Sequence, residues 1–184
     1  MNSNRKRHIW VISDTHFFHQ NILKFEDDDG RLIRPGFSDV NHMNETIIQN
    51  WNSVVMPGDK VYHLGDVFFG ARENYRPIID RLNGKLRIIL GNHDDVRRLI
   101  EELPKSVVLD IWRVMKEFEV IMTHIPIHDT SGRIRHGKLY SNVHGHIHQN
   151  LVGDPSYVNV CVEHTNYTPV NLETIRDAQR RKLR

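Results

Sequence analysis

Two hydrophobic patterns alternate along the chain. Short runs rich in β-branched and aromatic residues predict strands at 8–13, 60–64, 86–90, 106–110, 119–123, 139–144 and 157–162. Apolar residues that recur at helical spacing predict helices at 39–51, 73–82, 95–102 and 171–182. Asp39 and Asn171 are expected to cap the first and the last of these helices. Strands that alternate with helices indicate the α/β fold class.

No internal repeat or linker interrupts this order. We therefore expect one domain over residues 1–184. The longest irregular stretch, residues 24–37, is expected to be a mobile surface loop. The single cysteine, Cys161, has no partner for an internal disulfide, which fits a reducing compartment and a buried apolar role.

The two ends of the chain are basic, at 4–8 and at 176–184, although the net charge is only +2. Basic ends attract phosphate polymers, but basic helix ends are more commonly just solvated. The chain has no apolar segment typical of a signal peptide and no stretch of membrane-spanning length. It is therefore expected to be soluble and cytoplasmic, with no membrane partner.

Polar residues with useful chemistry follow five of the predicted strands. These segments are SDTH at 13–16, GD at 65–66, GNHDD at 91–95, TH at 123–124 and GHIH at 145–148. In α/β sheets ligands bind beyond the carboxyl ends of strands, so the five segments are expected to share one cleft. In the last segment Gly145 interrupts alternating histidines, and a glycine inside a strand pattern often marks a close backbone approach.

Together the segments offer carboxylates, imidazoles and one amide, namely Asp14, His16, Asp66, Asn92, His93, Asp94, His124, His146 and His148. This set is too large for one tetrahedral ion and fits two ions that share a carboxylate, for which Asp66 is the natural bridge. Two ions about 3.5–4 Å apart lower the pKa of a bridging water and neutralise a bound phosphate. Mixed nitrogen and oxygen ligands accept manganese, iron, nickel or zinc, and manganese is the ion that we expect.

The order DTH, GD, GNHD, H and GHIH over residues 14–148 resembles the five-motif signature of the calcineurin-like metallophosphoesterase superfamily. The chain is also similar to the small, capless bacterial and phage phosphoesterases of that superfamily. The resemblance implies a single-domain β-sandwich of two mixed sheets flanked by helices, with a dinuclear metal centre.

The resemblance also implies a role for each residue of the signature. The ligands of the first ion would be Asp14, His16, Asp66 and His148. The ligands of the second ion would be Asp66, Asn92, His124 and His146. His93 would then be no ligand but an acid that stabilises the phosphoryl group or protonates the leaving oxygen, with Asp94 placed to orient its ring. His144 lies outside the signature and is expected to be structural or to contact one of the ligand residues.

Outside the signature, His19 and Arg34 are the expected substrate contacts. His19 follows the first ligand pair closely, although a polar turn that starts a helix explains it about equally well. An arginine grips phosphate with two parallel hydrogen bonds, which makes Arg133 and Arg135 further candidates, but exposed arginines are usually just solvated.

We expect a dinuclear metal phosphohydrolase in which a metal-bridging water or hydroxide attacks phosphorus. A phosphodiester is favoured because the motif segments 13–21, 64–70 and 122–129 contain no arginine or lysine to surround a terminal phosphate. The expected partner is a phosphate ester, with nucleotides and nucleic acids as candidates, and no protein partner is evident.

Three alternatives remain at this stage. A phosphomonoesterase uses the same residues. A non-catalytic scaffold is known in one retromer subunit that resembles this family, but the histidine at position 93 and the intact ligand set argue against it. A nucleic-acid-binding protein that acts through its basic ends predicts binding that depends steeply on salt and survives metal removal.

Overall fold

The computed structural model describes residues 5–128, 133–135 and 138–182. Its strands are β1 (Ile9–Ile12), β2 (Lys60–His63), β3 (Lys85–Ile89), β4 (Val108–Asp110), β5 (Trp112–Met115), β6 (Val120–Thr123), β7 (Ile134–Arg135), β8 (Lys138–Leu139), β9 (Ser141–His144), β10 (Tyr157–Asn159) and β11 (Val170–Asn171). Its α-helices are α1 (Val40–Val54), α2 (Tyr75–Ile79), α3 (Val96–Glu102) and α4 (Leu172–Lys182). Short 3₁₀ helices span Gln20–Lys24 and Arg72–Asn74.

The strands form two mixed sheets in the described part of the chain. The first has the order β11-β1-β2-β3-β4, with β1 to β4 parallel and β11 antiparallel to β1. The second has the order β10-β9-β6-β5, with β5 antiparallel to β6 and the other pairs parallel. Strands β7 and β8 form a separate antiparallel pair. The predicted α/β class with two mixed sheets is confirmed.

Successive side chains of a strand point to opposite faces, and the first sheet buries side chains on both of its faces. It is therefore the middle layer of the fold. On one face, its buried side chains pack against α1; they include Ile12, Val61, Ile88, Met43, Ile47 and Trp51. On the other face, they pack against the second sheet and α4; they include Val11, Ile89, Val120, Met122, Val143 and Leu172. The parallel strands of both sheets therefore lie close enough for their carboxyl ends to meet.

Most of the predicted elements are confirmed, and so are the two helix caps. Asp39 accepts a hydrogen bond from the backbone N–H of His42 at 2.9 Å, and Asn171 accepts one from the backbone N–H of Glu173 at 2.8 Å. No helix in the described ranges is long and apolar enough to cross a membrane.

Several features differ from the sequence prediction, among them the two-residue strands β7 and β11, which were not predicted. The helix predicted at 73–82 is instead a 3₁₀ turn followed by the short α2, because the chain must turn back into β3. Strand β5 was not predicted, since the single residue Ile111 separates it from β4 and leaves no turn signal between them. The stretch at 24–37 is mostly exposed, yet the side chain of Arg34 is buried.

Candidate metal centre

The five polar segments meet where the strands end. Those after β1, β2 and β3 come from the first sheet, and those after β6 and β9 come from the second. Backbone hydrogen bonds join neighbouring segments: the N–H of Asp14 donates to the carbonyl of Gly65 at 3.0 Å, and the N–H of Gly145 donates to the carbonyl of His124 at 2.8 Å. The expected shared cleft is therefore present.

The backbone turns sharply at the residues that carry the polar groups. Five non-glycine residues here have left-handed φ angles, namely Asp14 (58°), His16 (48°), Asp66 (56°), His146 (71°) and His148 (46°). This conformation is unfavourable for an L-residue and persists only where the surroundings enforce it, most often at functional sites. It aims each side chain into the cleft directly after a strand.

Two glycines allow the segments to approach one another. A Cβ at Gly65, where φ is +95°, would lie 2.6 Å from the Cα of Gly91 and 2.7 Å from Nδ1 of His124. A Cβ at Gly145 would overlap the side chains of Ser13 and Asp14. The glycine among the alternating histidines thus marks a close backbone approach, as expected.

The side chains form two adjacent groups of possible metal ligands. The first contains Asp14, His16 and His148, and the second contains Asp66, His124 and His146. Within each group, the ligand atoms lie within 4.8 Å of one another. Oδ2 of Asp66 is 3.5 Å from Nε2 of His124 and 3.8 Å from Nε2 of His16, so this carboxylate faces both groups.

The donor atoms of the first group fit a cation. Among the described residues, Oδ1 of Asp14 and both ring nitrogens of His16 are buried without a hydrogen-bond partner. Buried polar atoms normally have a partner, and an unpartnered one needs an explanation such as a bound ion. A divalent metal ion satisfies the carboxylate and imidazole atoms together.

The second group leads to the same conclusion. Nδ1 of His124 lies 2.7 Å from the carbonyl oxygen of Leu64 and therefore carries its hydrogen when the ring is neutral. Nε2 of the same ring then has a lone pair, yet it faces Oδ1 of Asn92 at 2.9 Å and Oδ2 of Asp66 at 3.5 Å. Three acceptor atoms that face one another suit a cation between them.

The electrostatics favour the forms of these residues that bind metals. Burial would raise the pKa of Asp14, but His16 and His124 outweigh it and hold this pKa well below its usual range. Burial lowers the pKa of His16 and of His146, which keeps both imidazoles neutral. Burial lowers the pKa of His124, but the carboxylates of Asp66 and Asp14 outweigh burial and raise this pKa. A metal ion therefore has to compete with a proton for the ring.

Glu163 is a residue of the site that the sequence analysis missed. Its Oε1 lies 3.0 Å from Nδ1 of His148 and accepts a hydrogen bond from Nε of Arg34 at 2.8 Å. A carboxylate on one ring nitrogen leaves the other nitrogen directed at the metal. Glu163 directly follows the predicted strand 157–162. The same signal, a polar residue at the end of a predicted strand, marks the proposed ligands.

Arg34 is buried inside the protein and does not face the cleft as a substrate contact would. The residue is 1% exposed, and its guanidinium also donates to the backbone carbonyls of Asp14 at 2.5 Å and Thr15 at 3.1 Å. Arg133 is buried as well; it contacts the hydroxyl of Ser156 and lies over the ring of Tyr157, 4.1 Å from its centroid. The side chain of Arg135 lies outside the described residues. The structure thus gives Arg34 and Arg133 internal contacts.

His93 is exposed at the edge of the cleft. Its ring centroid is 5.9 Å from that of His16, and its backbone N–H donates to Oδ1 of Asp66 at 2.9 Å. Asp94 was expected to orient this ring. Instead, its carboxylate accepts hydrogen bonds from the backbone N–H groups of Asp66, Val67 and Gly91 at 2.9–3.0 Å, so it joins two of the ligand loops.

Two further histidines have defined places. The ring of His19 stacks on Phe69 at a centroid distance of 3.9 Å and lies 5.4 Å from the ring of His16, at the rim of the site. Burial, together with the neighbouring cationic groups, lowers the pKa of His19 to about 4. His144 is fully buried, with Nδ1 at 2.9 Å from the carbonyl oxygen of Gly145.

A two-sheet α/β fold with carboxylates and imidazoles gathered at its strand ends is the architecture of a metal-binding domain. Residues 8–167 match the calcineurin-like phosphoesterase superfamily domain. The chain therefore belongs to this superfamily, as its motif order had suggested.

Similar proteins occur in archaea, phages and bacteria. The chain is 35% identical to an uncharacterized protein of Methanocaldococcus jannaschii, over 92% of this chain and 89% of that protein. It is 28% identical to the gene 66 protein of Mycobacterium phage L5, over 74% of this chain and 58% of that protein. A protein of unknown function from Aquifex aeolicus has a similar crystal structure, with a TM-score of 0.70 and 25% identity over 94% of this chain and 100% of that one.

The position of Asp66 between the two groups predicts that Asp66→Asn loses both ions. Asp14→Asn is the matched variant, because Asp14 belongs to the first group alone. After equilibrium dialysis against manganese, elemental analysis should find both ions depleted in Asp66→Asn and mainly one in Asp14→Asn. One fully retained ion in Asp66→Asn would show that this carboxylate is not a bridge.

The contacts of Glu163 predict that Glu163→Ala lowers the affinity for the first ion by roughly 10- to 100-fold, because His148 loses the group that orients its ring. The second ion should bind as before. Glu163→Gln is the control, since its amide oxygen is able to accept the same hydrogen bonds from His148 and Arg34. A metal titration followed by calorimetry separates the two ions, and equal weakening of both would contradict a role specific to His148.

Proposed function

We propose that the protein is a dinuclear metal-dependent phosphodiesterase. The observation that carries this proposal is the carboxylate of Asp66, which faces a group of metal ligands on either side. The mixed imidazole, carboxylate and amide ligands accept manganese, iron, nickel or zinc, and manganese is the ion that we propose among them. The proposed substrates are phosphate diesters, with nucleotides and nucleic acids among them.

The residues divide the work between holding ions and handling the ester. The proposed ligands of the first ion are Asp14, His16, Asp66 and His148. The proposed ligands of the second ion are Asp66, Asn92, His124 and His146. When bound, the two ions supply Lewis acidity, which polarises the phosphate and lowers the pKa of water.

His93 supplies the proton chemistry in this proposal. It is exposed beside the cleft, and its backbone is held by Asp66, so its imidazole is available to an ester bound at the ligand groups. A positioned imidazole is able to donate a proton to the leaving oxygen or a hydrogen bond to the phosphoryl group. Asp94 supports this loop through the backbone and has no contact with the ring in this proposal.

The charges around the cleft support a diester. A phosphate monoester carries up to two negative charges and usually needs several cationic donors around its terminal oxygens. Arg34 and Arg133 both point into the protein and make internal contacts instead. A diester carries one negative charge, which two divalent ions balance without an arginine clamp.

A first test compares two aryl esters with the manganese-loaded protein. We expect a higher kcat/KM for bis(p-nitrophenyl) phosphate than for p-nitrophenyl phosphate, measured at one pH, because this ratio reports discrimination between substrates. Chelation of the metal should abolish both activities. A clear preference for the monoester would support a phosphomonoesterase instead, and activity that survives chelation would contradict a metal-dependent enzyme.

A second test concerns His93. His93→Ala should keep both ions and lose roughly 10²- to 10⁴-fold in kcat, the usual effect of a positioned acid or base. If the imidazole protonates the leaving oxygen, the loss should be larger for a phenyl than for a p-nitrophenyl leaving group, since phenolate is the poorer leaving group. An equal loss for both esters would assign His93 to the phosphoryl group, and loss of metal would make it a ligand.

A further inference from the structure

Arg34 connects segments of the chain that lie far apart in sequence. Nε of its guanidinium donates to Oε1 of Glu163 at 2.8 Å. The two terminal nitrogens donate to the backbone carbonyls of Thr15 at 3.1 Å and Asp14 at 2.5 Å. Glu163 in turn contacts Nδ1 of His148 at 3.0 Å. One guanidinium is therefore bonded to the backbone of one proposed ligand of the first ion and, through Glu163, to the ring of another.

The two ligands joined in this way come from different sheets. Asp14 follows β1 of the first sheet, and His148 follows β9 of the second. Both have left-handed φ angles, a conformation that persists only where the surroundings enforce it. The planar fork of a guanidinium fixes the direction as well as the distance of its acceptors. Arg34 is therefore suited to hold the two ligands in one relative position.

Arg34 is also the anchor of an exposed stretch of the chain. It is the one buried residue within 25–37, a range that the structure describes in full. The residues before it form a small hairpin, in which Glu26 bridges to Leu32 and the N–H of Ile33 donates to the carbonyl of Phe25 at 2.8 Å. Phe25 and Leu32 are 46% and 45% exposed. The guanidinium thus ties a mostly exposed stretch to the ligand loops.

The guanidinium is able to dock only where its partners are in place. Its side chain is 0% exposed and that of Glu163 is 5% exposed. A buried charge is costly unless it is paired and hydrogen-bonded. The carboxylate of Glu163 and the carbonyl of Asp14 must therefore occupy their observed positions when Arg34 is docked. The same positions present Asp14 and His148 to the first ion.

We propose that Arg34 is a positioning residue for the first ion and that binding of this ion is coupled to the docking of the 24–37 stretch. This inference rests on the metal ligands of the proposed function. Coupling between two sites is reciprocal. If the docked guanidinium raises the affinity for the ion, the bound ion stabilises the docked guanidinium by the same factor. Arg34 then acts on the metal centre rather than on the substrate.

A calorimetric titration of the full chain with manganese tests the effect on the ion without relying on turnover. Arg34→Met should lower the affinity for the first ion by roughly 10- to 100-fold, the usual effect of removing a group that orients a ligand. The second ion should bind as before. Arg34→Lys keeps the charge but lacks the planar fork, so its affinity should lie between those of the wild type and Arg34→Met. An unchanged first ion in Arg34→Met would overturn the inference, and so would an equal loss at both ions.

Arg31→Met is the matched control. Arg31 belongs to the same stretch, but its side chain is 76% exposed and pairs with Asp29 at 3.1 Å within the hairpin. This variant should leave the affinities for both ions unchanged. A loss as large as that in Arg34→Met would assign the effect to the stretch as a whole and contradict a specific role of the guanidinium.

Hydrogen exchange tests the reciprocal effect. The exchange of backbone amides in 25–37, among them the N–H of Ile33, is measured with and without manganese. We expect manganese to slow this exchange by roughly 5- to 150-fold in the wild type and in Arg31→Met, the usual range of coupling between two sites. In Arg34→Met the effect of manganese should be lost. An exchange rate that does not respond to manganese in the wild type would overturn the coupling, even if Arg34→Met does not fold.

Failure of this inference and failure of the proposed function give different results. If aryl diesters are hydrolysed and Arg34→Met binds the first ion as tightly as the wild type, the coupling is wrong and the proposed function stands. If Arg34→Met loses affinity for the first ion but the wild type hydrolyses no ester, the proposed function is wrong and the coupling stands. If the wild type binds no ion, both are wrong.

Discussion

The structure depends on holding the carboxylate of Asp66 between two groups of imidazoles. Its Oδ2 lies 3.8 Å from Nε2 of His16, which comes from the first sheet, and 3.5 Å from Nε2 of His124, which comes from the second. A buried carboxylate beside neutral rings is costly unless cations compensate its charge. The two sheets must therefore end within reach of a single carboxylate, and this requirement explains why the ends of β2 and β6 lie so close together.

That arrangement has an energetic cost in the backbone, and neighbouring hydrogen bonds offset it. Left-handed residues cost on the order of 1–3 kcal/mol each and survive only when other contacts enforce them. Asp94 holds the loop of Asp66 through backbone N–H groups, and Arg34 holds the loop of Asp14 through its carbonyl. Residues at the end of the irregular 24–37 stretch thus stabilise a ligand loop, although they are far from it in sequence.

The site separates buried from exposed functions. Asp14, His16 and Asp66 are each at most 2% exposed, which suits groups that hold ions away from bulk water. His93 is exposed at the rim. In the proposed enzyme, these buried residues hold the metals together with the partly buried His146 and His148 and the exposed Asn92, and His93 at the rim meets the ester.

The sequence alone determined the α/β class, most strands and the ligand motifs, because β-branched runs report strands and each ligand directly follows one. Tertiary structure decided which buried groups meet: Arg34 and Glu163 are 129 positions apart and form one contact. It also assigned Asp94 to backbone N–H groups and placed Trp112 beside His124 through the register of β5. Hydrophobic periodicity reports which face of an element is buried, but the partner across that face depends on sheet pairing and chain crossings, which local sequence does not encode.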